Sequence, residues 1–454
     1  MSGPGQAEGA APPGGGGAAE HWDFVVVGSG FGGSVSALRL VEKGYRVLML
    51  EQGRRLGAGD FPRTNWQLRR WLWMPALGWR GLFRMTFLRH VTAMTGVGVG
   101  GGSLVYANTL PVPGERFFQA PSWAHLADWQ EELAPHYRTA LRMLGAVENP
   151  HVTLPDEILR EVARDMGRPE HVHPTQVAVY FGAPGQTVPD PYFGGRGPQR
   201  TGCIQCGGCM LGCRFGAKNT LDKNYLHLAE GLGLVLRADS QVTAIEPRPE
   251  GGYRIEVREG ARRWRRARRV VTADQVVLAG GVLGTVDLLL RMRERRRGGL
   301  PALSPRLGEM VRTNSEVLMG VVTRRRDVDL SHGIAIGSIL HTDEHSHIEP
   351  VRYPRGAGFF RTLMAPHAPG STAVTRLGRA LGFALRHPWL TLRTYLVPDW
   401  ARYTMILLYM RTLEGHLRLR LGRPLRRLFR RGLTSELSGG PAPAAFIPEA
   451  TELG

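Results

Sequence analysis

The sequence has 454 residues, 43% hydrophobic and 21% charged, the proportions of a folded globular chain with room for two lobes, each around its own core. Its formal net charge is +19, yet only Lys43, Lys218 and Lys223 of the 58 basic residues are lysines, an arginine skew that points to genome composition before it points to nucleic acid. All four cysteines fall between 203 and 213, which excludes a disulfide framework, and no apolar run approaches the roughly 20 residues that cross a bilayer.

Residues 1–20 are rich in Gly, Ala and Pro and lack both a basic start and an apolar stretch. They read as a disordered tail and not as a signal peptide, so the expected location is the cytoplasm. Phe24–Val27 is a short, fully apolar, β-branched run, as a buried parallel strand should be. The turn Gly28-Ser29-Gly30-Phe31-Gly32-Gly33 follows, then an amphipathic helix over 34–43 and a second strand, Arg46–Leu50, that ends at Glu51. In this G-x-G-x-x-G pattern Gly28 permits the tight turn, Gly30 lets backbone approach a pyrophosphate, and Gly33 lets helix pack on strand. The helix N-terminus offers partial positive charge to the phosphates, and Glu51 is placed to hold ribose hydroxyls. Gly28, Gly30, Phe31, Gly32, Gly33 and Glu51 are therefore candidate cofactor contacts.

Trp66 to His90 interleaves tryptophans and phenylalanines with arginines. That pattern suits a peripheral membrane interface, with one end of each ring apolar and the other wet, or an ordinary cap packed on the substrate lobe. Five of the seven residues 96–102 are glycine, interleaved with valines and followed by Ser103 and Asn108. No helix or strand interior tolerates this, so the segment is a loop whose backbone lies against a ligand longer than a mononucleotide, which favours FAD over NAD. Gly100, Gly101, Gly102, Ser103 and Asn108 join the cofactor candidates.

Cys203, Cys206, Cys209 and Cys213 have the spacing of an iron–sulfur run. Arg214 stands where that pattern carries proline, and the chain has no further cysteine. An iron–sulfur cluster, a zinc or thiol knot and a plain conformational motif all remain open readings. Gln241–Ile245 reads as a strand, with Val242 a further candidate cofactor contact, and leads into a hairpin of Tyr253–Val257 with Arg269–Val271. Gln275–Gly281 is another buried strand ending in Gly280 and Gly281, which open a helix whose N-terminus again faces the nucleotide. The arginine runs at 262–269 and 291–297 fall on a hairpin and at a helix C-terminus, where cations are favoured. No DNA- or RNA-binding motif accompanies them, so nucleic acid is not an expected partner. His341, His345 and His347 lie in a turn-like stretch and read as surface residues. Leu417–Leu421 alternates like an edge strand, the basic stretch 424–431 follows, and 435–454 reads as unstructured.

Together these stretches resemble the glucose–methanol–choline (GMC) oxidoreductases, and within them the branch of bacterial cholesterol oxidases. The resemblance is carried by Gly28–Gly33 with Glu51, Gly98–Ser103 with Asn108, Cys203–Lys223, Val277–Thr285, Asn314-Ser315-Glu316 and Ile348–Tyr353. It implies an α/β protein (α+β overall) with a Rossmann-like FAD-binding domain on a parallel sheet, discontinuous in sequence over 21–120 and 200–315. A substrate lobe with a mostly antiparallel sheet and helices would take 121–199 and 316–434. The implied chemistry is FAD-dependent oxidation of a 3β-hydroxysteroid such as cholesterol, with oxygen re-oxidising the flavin and, in some members, a carboxylate moving the Δ5 double bond to Δ4. Glu349 is the carboxylate at that position of the motif; a surface salt bridge is the competing reading. The family's Thr-Ala-His-x-x-Gly-Gly-like run and its later Gly/Asn/Pro segment are not found, which leads us to expect a truncated or degenerate member with poor turnover. Two other readings stand beside it: a flavoprotein dehydrogenase passing electrons to a partner protein, and a non-catalytic FAD- or lipid-binding remnant.

Overall fold

In the computed structural model of the chain, the described residues are 20–261, 267–366, 368, 370, 372–412, 415–423, 431–439, 447, 449 and 450. The tail 1–19, most of the arginine run at 262–269 and nearly all of the basic stretch 424–431 lie outside them.

A six-stranded sheet forms the first layer, in the order Val235–Arg237, Val47–Leu50, Glu20–Val27, Ala267–Leu278, Tyr253–Glu259, Ser240–Pro247. Its first four strands run parallel and its last three form an antiparallel meander. Continuous apolar runs rather than alternation mark the central strands because both faces are covered. Val26, Val47 and Met49 pack under the helices Phe31–Glu42 and Tyr225–Gly231 with Ala37, Leu38, Leu226 and Ala229. Val25, Leu48 and Leu50 point the other way and meet Ile245, Ile255, Val257 and Val271. The helix Gly281–Glu294 follows the 267–278 strand directly, as its glycine-terminated sequence implies.

A second, fully antiparallel sheet orders its strands Val317–Val322, Thr404–Arg411, Ser346–Val351, Ser338–His341, Val172–Pro174. One face carries Leu340, Ile348, Leu407 and Tyr409, buried under the helix Leu154–Asp165. The opposite face carries Val351 and Ile406 and packs into an aromatic core of Trp71, Phe83, Tyr353 and Phe360. That core also takes in Leu104, with Val105 and Ala107 packed against it, so the glycine-rich loop ends where the second sheet begins. Two sheets joined by an aromatic core make the fold α/β, with a mainly parallel nucleotide sheet and an antiparallel second sheet.

Over the residues it describes, the structure corrects the expectation that 435–454 is unstructured. Gly432–Gly439 is a strand paired antiparallel with His416–Gly422, in register from Leu417 opposite Leu437 to Gly422 opposite Gly432. Leu433 is buried beside Leu419 and Leu290, and Ile447 and Ala450 are buried against the helix-covered face of the second sheet. A composition of Pro, Ala and Gly hid a few well-placed apolar residues, and these are enough to anchor the segment.

Candidate flavin and substrate site

The turn after the first strand is built so that only glycine fits at its two ends. Gly28 has φ +102°, and a Cβ there would lie 2.5 Å from the Ala279 carbonyl oxygen. A Cβ on Gly33 would lie 2.0 Å from the Gly28 oxygen. Gly30 and Gly32 differ: an added Cβ meets nothing within 4 Å, which leaves the middle of the turn open on its outer side. The second glycine-rich loop stacks on this turn. Gly101 has φ +52° and a Cβ there would lie 2.6 Å from the Gly30 Cα. Ser29 Oγ bridges the two loops, donating to the Gly98 carbonyl at 3.3 Å and accepting from the Gly100 N–H at 3.2 Å.

Glu51 is buried at the end of its strand, where its carboxylate accepts from Ser29 N–H (3.1 Å), Ser29 Oγ (2.8 Å) and Gly53 N–H (2.8 Å). Burial raises its pKa above the ordinary carboxylate value, and these hydrogen bonds act against the rise. Val242 lies on the strand whose first residue, Ser240, bonds the Glu51 carbonyl, and it packs beside Leu48 and Leu50. Gly280 caps the helix Gly281–Glu294, and Gly281, with φ +69°, faces open space. Ser103 Oγ accepts from Leu221 N–H at 3.0 Å and donates to the Gly100 carbonyl at 2.7 Å, which fixes the loop. Phe31 is half-exposed, edge-on to Tyr106. Asn108 is fully buried with φ +73°, and its side-chain amide lies against the Cys209 thiol. Open backbone at Gly30 and Gly32, a helix N-terminus behind it, a strand-terminal carboxylate and a second glycine-rich loop stacked on the turn fit a dinucleotide with a second ring system, as FAD is.

The cysteine segment has another task. Among the described residues no three His, Cys, Asp or Glu side chains gather so as to hold a metal ion, and Cys203, Cys206, Cys209 and Cys213 are all free thiols. No metal-holding group is therefore shown for these four residues, and burial raises the Cys203 thiol to about 12 and the Cys206 thiol to about 11. Instead the segment braces the glycine-rich loop. The buried Lys218 ammonium donates to the carbonyls of Leu104 (3.2 Å), Tyr106 (2.8 Å) and Cys209 (2.9 Å), and Tyr106 Oη donates to the Asn219 carbonyl. The bend at Gly207 is also forced, since φ is +67° and a Cβ would meet the Ser331 carbonyl at 2.7 Å.

Glu349 sits on the inner face of the second sheet, 3% exposed, which rules out a surface salt bridge. His347 Nε2 stands 3.8 Å from its Oε1, and Oε2 is buried with no partner. Sheet register puts Glu349, Leu408 and Leu318 in one row, and alternation brings His347, Met410 and Glu316 onto the same face. Burial first, then the nearby Glu316 carboxyl, pushes Glu349 up to about 8. Glu316, held by the Asn314 amide, is itself raised by burial. His347 is half-buried rather than a surface residue, and burial pushes it down to about 4. The sequence placed Glu349 only through its motif; its pairing with Glu316 and His347 needed the strand register.

Comparison with known proteins accords with this geometry. A family model described as FAD dependent oxidoreductase matches residues 23–336, and the chain belongs to that class. It is 50% identical over 407 residues to a cholesterol oxidase of Mycobacterium tuberculosis, an alignment covering 87% of this chain and 70% of that one. To a cholesterol oxidase of Acinetobacter baumannii it is 40% identical over 438 residues, covering 94% and 78%. A solved pyridoxine 4-oxidase from Mesorbium loti shares the fold with a TM-score of 0.54 at 16% identity, over 92% of this chain and 76% of that one. Within the FAD-dependent oxidoreductases the chain is a GMC-family member of the cholesterol-oxidase-like branch.

Proposed function

We propose that the chain oxidises a hydrophobic secondary alcohol, a 3β-hydroxysteroid of the cholesterol type, to the 3-ketone with oxygen as final acceptor, and that Glu349 then moves the Δ5 double bond to Δ4. FAD, when bound, supplies the hydride acceptor. Gly28, Gly30, Phe31, Gly32, Gly33, Glu51, Gly100, Gly101, Gly102, Ser103, Asn108, Val242, Gly280 and Gly281 are the residues proposed to hold it. The chain's own contribution to the second step is a proton transfer. Glu349 takes a proton from the carbon between ketone and double bond and returns it to the far end of the allylic system, so no net proton is consumed.

The observation that carries this reading is the unpartnered Oε2 of Glu349 on a buried sheet face. Once ionised, a carboxyl with a pKa near 8 is a stronger base than an ordinary one, and the share of Glu349 able to take the proton grows as pH rises toward 8. The test is product analysis with cholesterol. Wild type should release the conjugated ketone, and Glu349→Gln should release the unconjugated ketone, with conjugation slowed by about 10²–10⁴-fold while oxidation persists. Equal conjugated product from both proteins overturns the assignment. Bound flavin that steroid does not bleach would identify a cofactor-binding remnant.

A further inference from the structure

Two consecutive helices, Ala373–Arg386 and Pro388–Tyr395, turn their apolar residues outward. Val374, Leu377, Leu381 and Leu385 recur at helical spacing and share one face. They are 80%, 60%, 56% and 82% exposed, and Trp389 of the next helix is 78% exposed. The side facing the protein is held by the small Ala380, which is buried. Arg376, Arg379 and Arg386 fall on the polar side of the first helix and Arg393 follows in the second, while no Asp or Glu occurs from 373 to 398. An exposed leucine stripe opposed by arginines, with a tryptophan at its end, is the composition of a helix that lies in a lipid headgroup layer.

We infer that the helix pair 373–395 is a docking surface for an anionic phospholipid membrane. Like charges argue against a second copy as the occupant, since a two-fold pairing would set one arginine-rich, acid-free helix pair against another. The surface is also coupled to the site. Tyr395 Oη donates to the Met364 carbonyl at 2.8 Å, and the Arg361 guanidinium donates to the Val397 carbonyl at 3.0 Å. The 359–364 segment that these bonds tether packs Phe359 against both Trp66 and the buried Trp71. Met364 lies against Gly320, on the sheet face that carries Glu316 and Glu349. The bilayer side of the molecule is thus next to the apolar core that a lipid-soluble alcohol would enter. The inference concerns adsorption and stands or falls independently of steroid turnover.

The experiment is co-sedimentation of the flavin-loaded full chain with vesicles of phosphatidylcholine, alone or mixed with phosphatidylglycerol. The comparison protein carries Leu377→Asn, Leu381→Asn and Leu385→Asn together, which leaves net charge unchanged and so holds constant any non-specific attraction of a chain of net charge +19. Wild type should pellet with the mixed vesicles, and the triple variant should bind at least about tenfold more weakly. Trp389 fluorescence in the wild type, measured against a Trp389→Phe control, should be quenched by brominated lipid, a readout independent of how the triple variant folds. Equal pelleting of a folded triple variant, no pelleting of wild type, or a solution dimer that the triple variant breaks would each overturn the assignment.

Discussion

Gly30 and Gly28 sit two residues apart, yet a methyl group should act on them through different states of the protein. At Gly28 it would collide with the Ala279 backbone, so Gly28→Ala disturbs folding itself. At Gly30 the added methyl meets nothing, so Gly30→Ala should leave the apoprotein melting temperature nearly unchanged, within about 0.5 kcal/mol. It should still lower flavin occupancy, because the space it fills is the space a pyrophosphate needs. The ratio of flavin to protein absorbance, read beside a melting curve, separates the two outcomes. Glu349 makes a second prediction at this scale. Its folded pKa of about 8 lies above its ordinary value, so its contribution to stability is fully present below about 4.5 and is lost as pH rises to about 8. Glu349→Gln should therefore match wild type in stability to chemical denaturation near pH 4.5 and exceed it above pH 8, by about a few kcal/mol. Glu316→Gln, by removing the neighbouring carboxyl, should move the acid limb of the double-bond shift to lower pH.

Among the elements, the cysteine loop shows how a sequence motif can be specific and still leave its role open. The run from Cys203 to Lys223 fixes a backbone path, and the residue that does most to hold that path is Lys218, whose three carbonyl partners lie on two loops. Lys218→Met would leave those carbonyls unpaired in the interior. We expect a loss of about 2–4 kcal/mol in stability together with weakened flavin retention, measurable by chemical denaturation and by dialysis against buffer. Spacing alone could show that the cysteines belong to one tight loop; it could not show whether their sulfurs converge, because that depends on side-chain directions set by Gly207 and Gly212. The nucleotide turn was legible for the opposite reason. There, backbone carries the function, and the sequence of Gly28–Gly33 between an apolar strand and a helix already dictates the backbone. Glu349 was half legible: its motif marked a carboxylate, but its burial follows from its place on the middle strand of the second sheet.

At the scale of the whole molecule, the aromatic and arginine pattern at 66–90 suited either a membrane interface or an ordinary cap, and the structure divides that segment. Trp71 and Phe83 stack inside the core, whereas Trp66 remains partly outside, edge-on to Phe359. Periodicity announces an apolar face on a helix and is silent about whether protein or lipid will cover it. The second sheet extends across the chain in a comparable way, since its helix-covered face is completed by Ile447 and Ala450, and Arg411, on the strand next to its middle one, pairs with Glu449. Removing residues 440–454 should lower stability by about 2–5 kcal/mol through the cavity left at Ile447, while leaving the nucleotide turn and its flavin in place. Differential scanning fluorimetry followed through both protein and flavin emission would resolve the two effects.

The same closure sets an order of events on the ribosome. The strand Val172–Pro174 is made early, but its neighbours are completed only near residue 411 and the layer behind them only at Ala450. The nucleotide sheet has all six of its strands by Leu278. A nascent chain could thus take up its cofactor while the wall bearing Glu349 is still open, and a bound flavin would serve as the template on which the later half assembles.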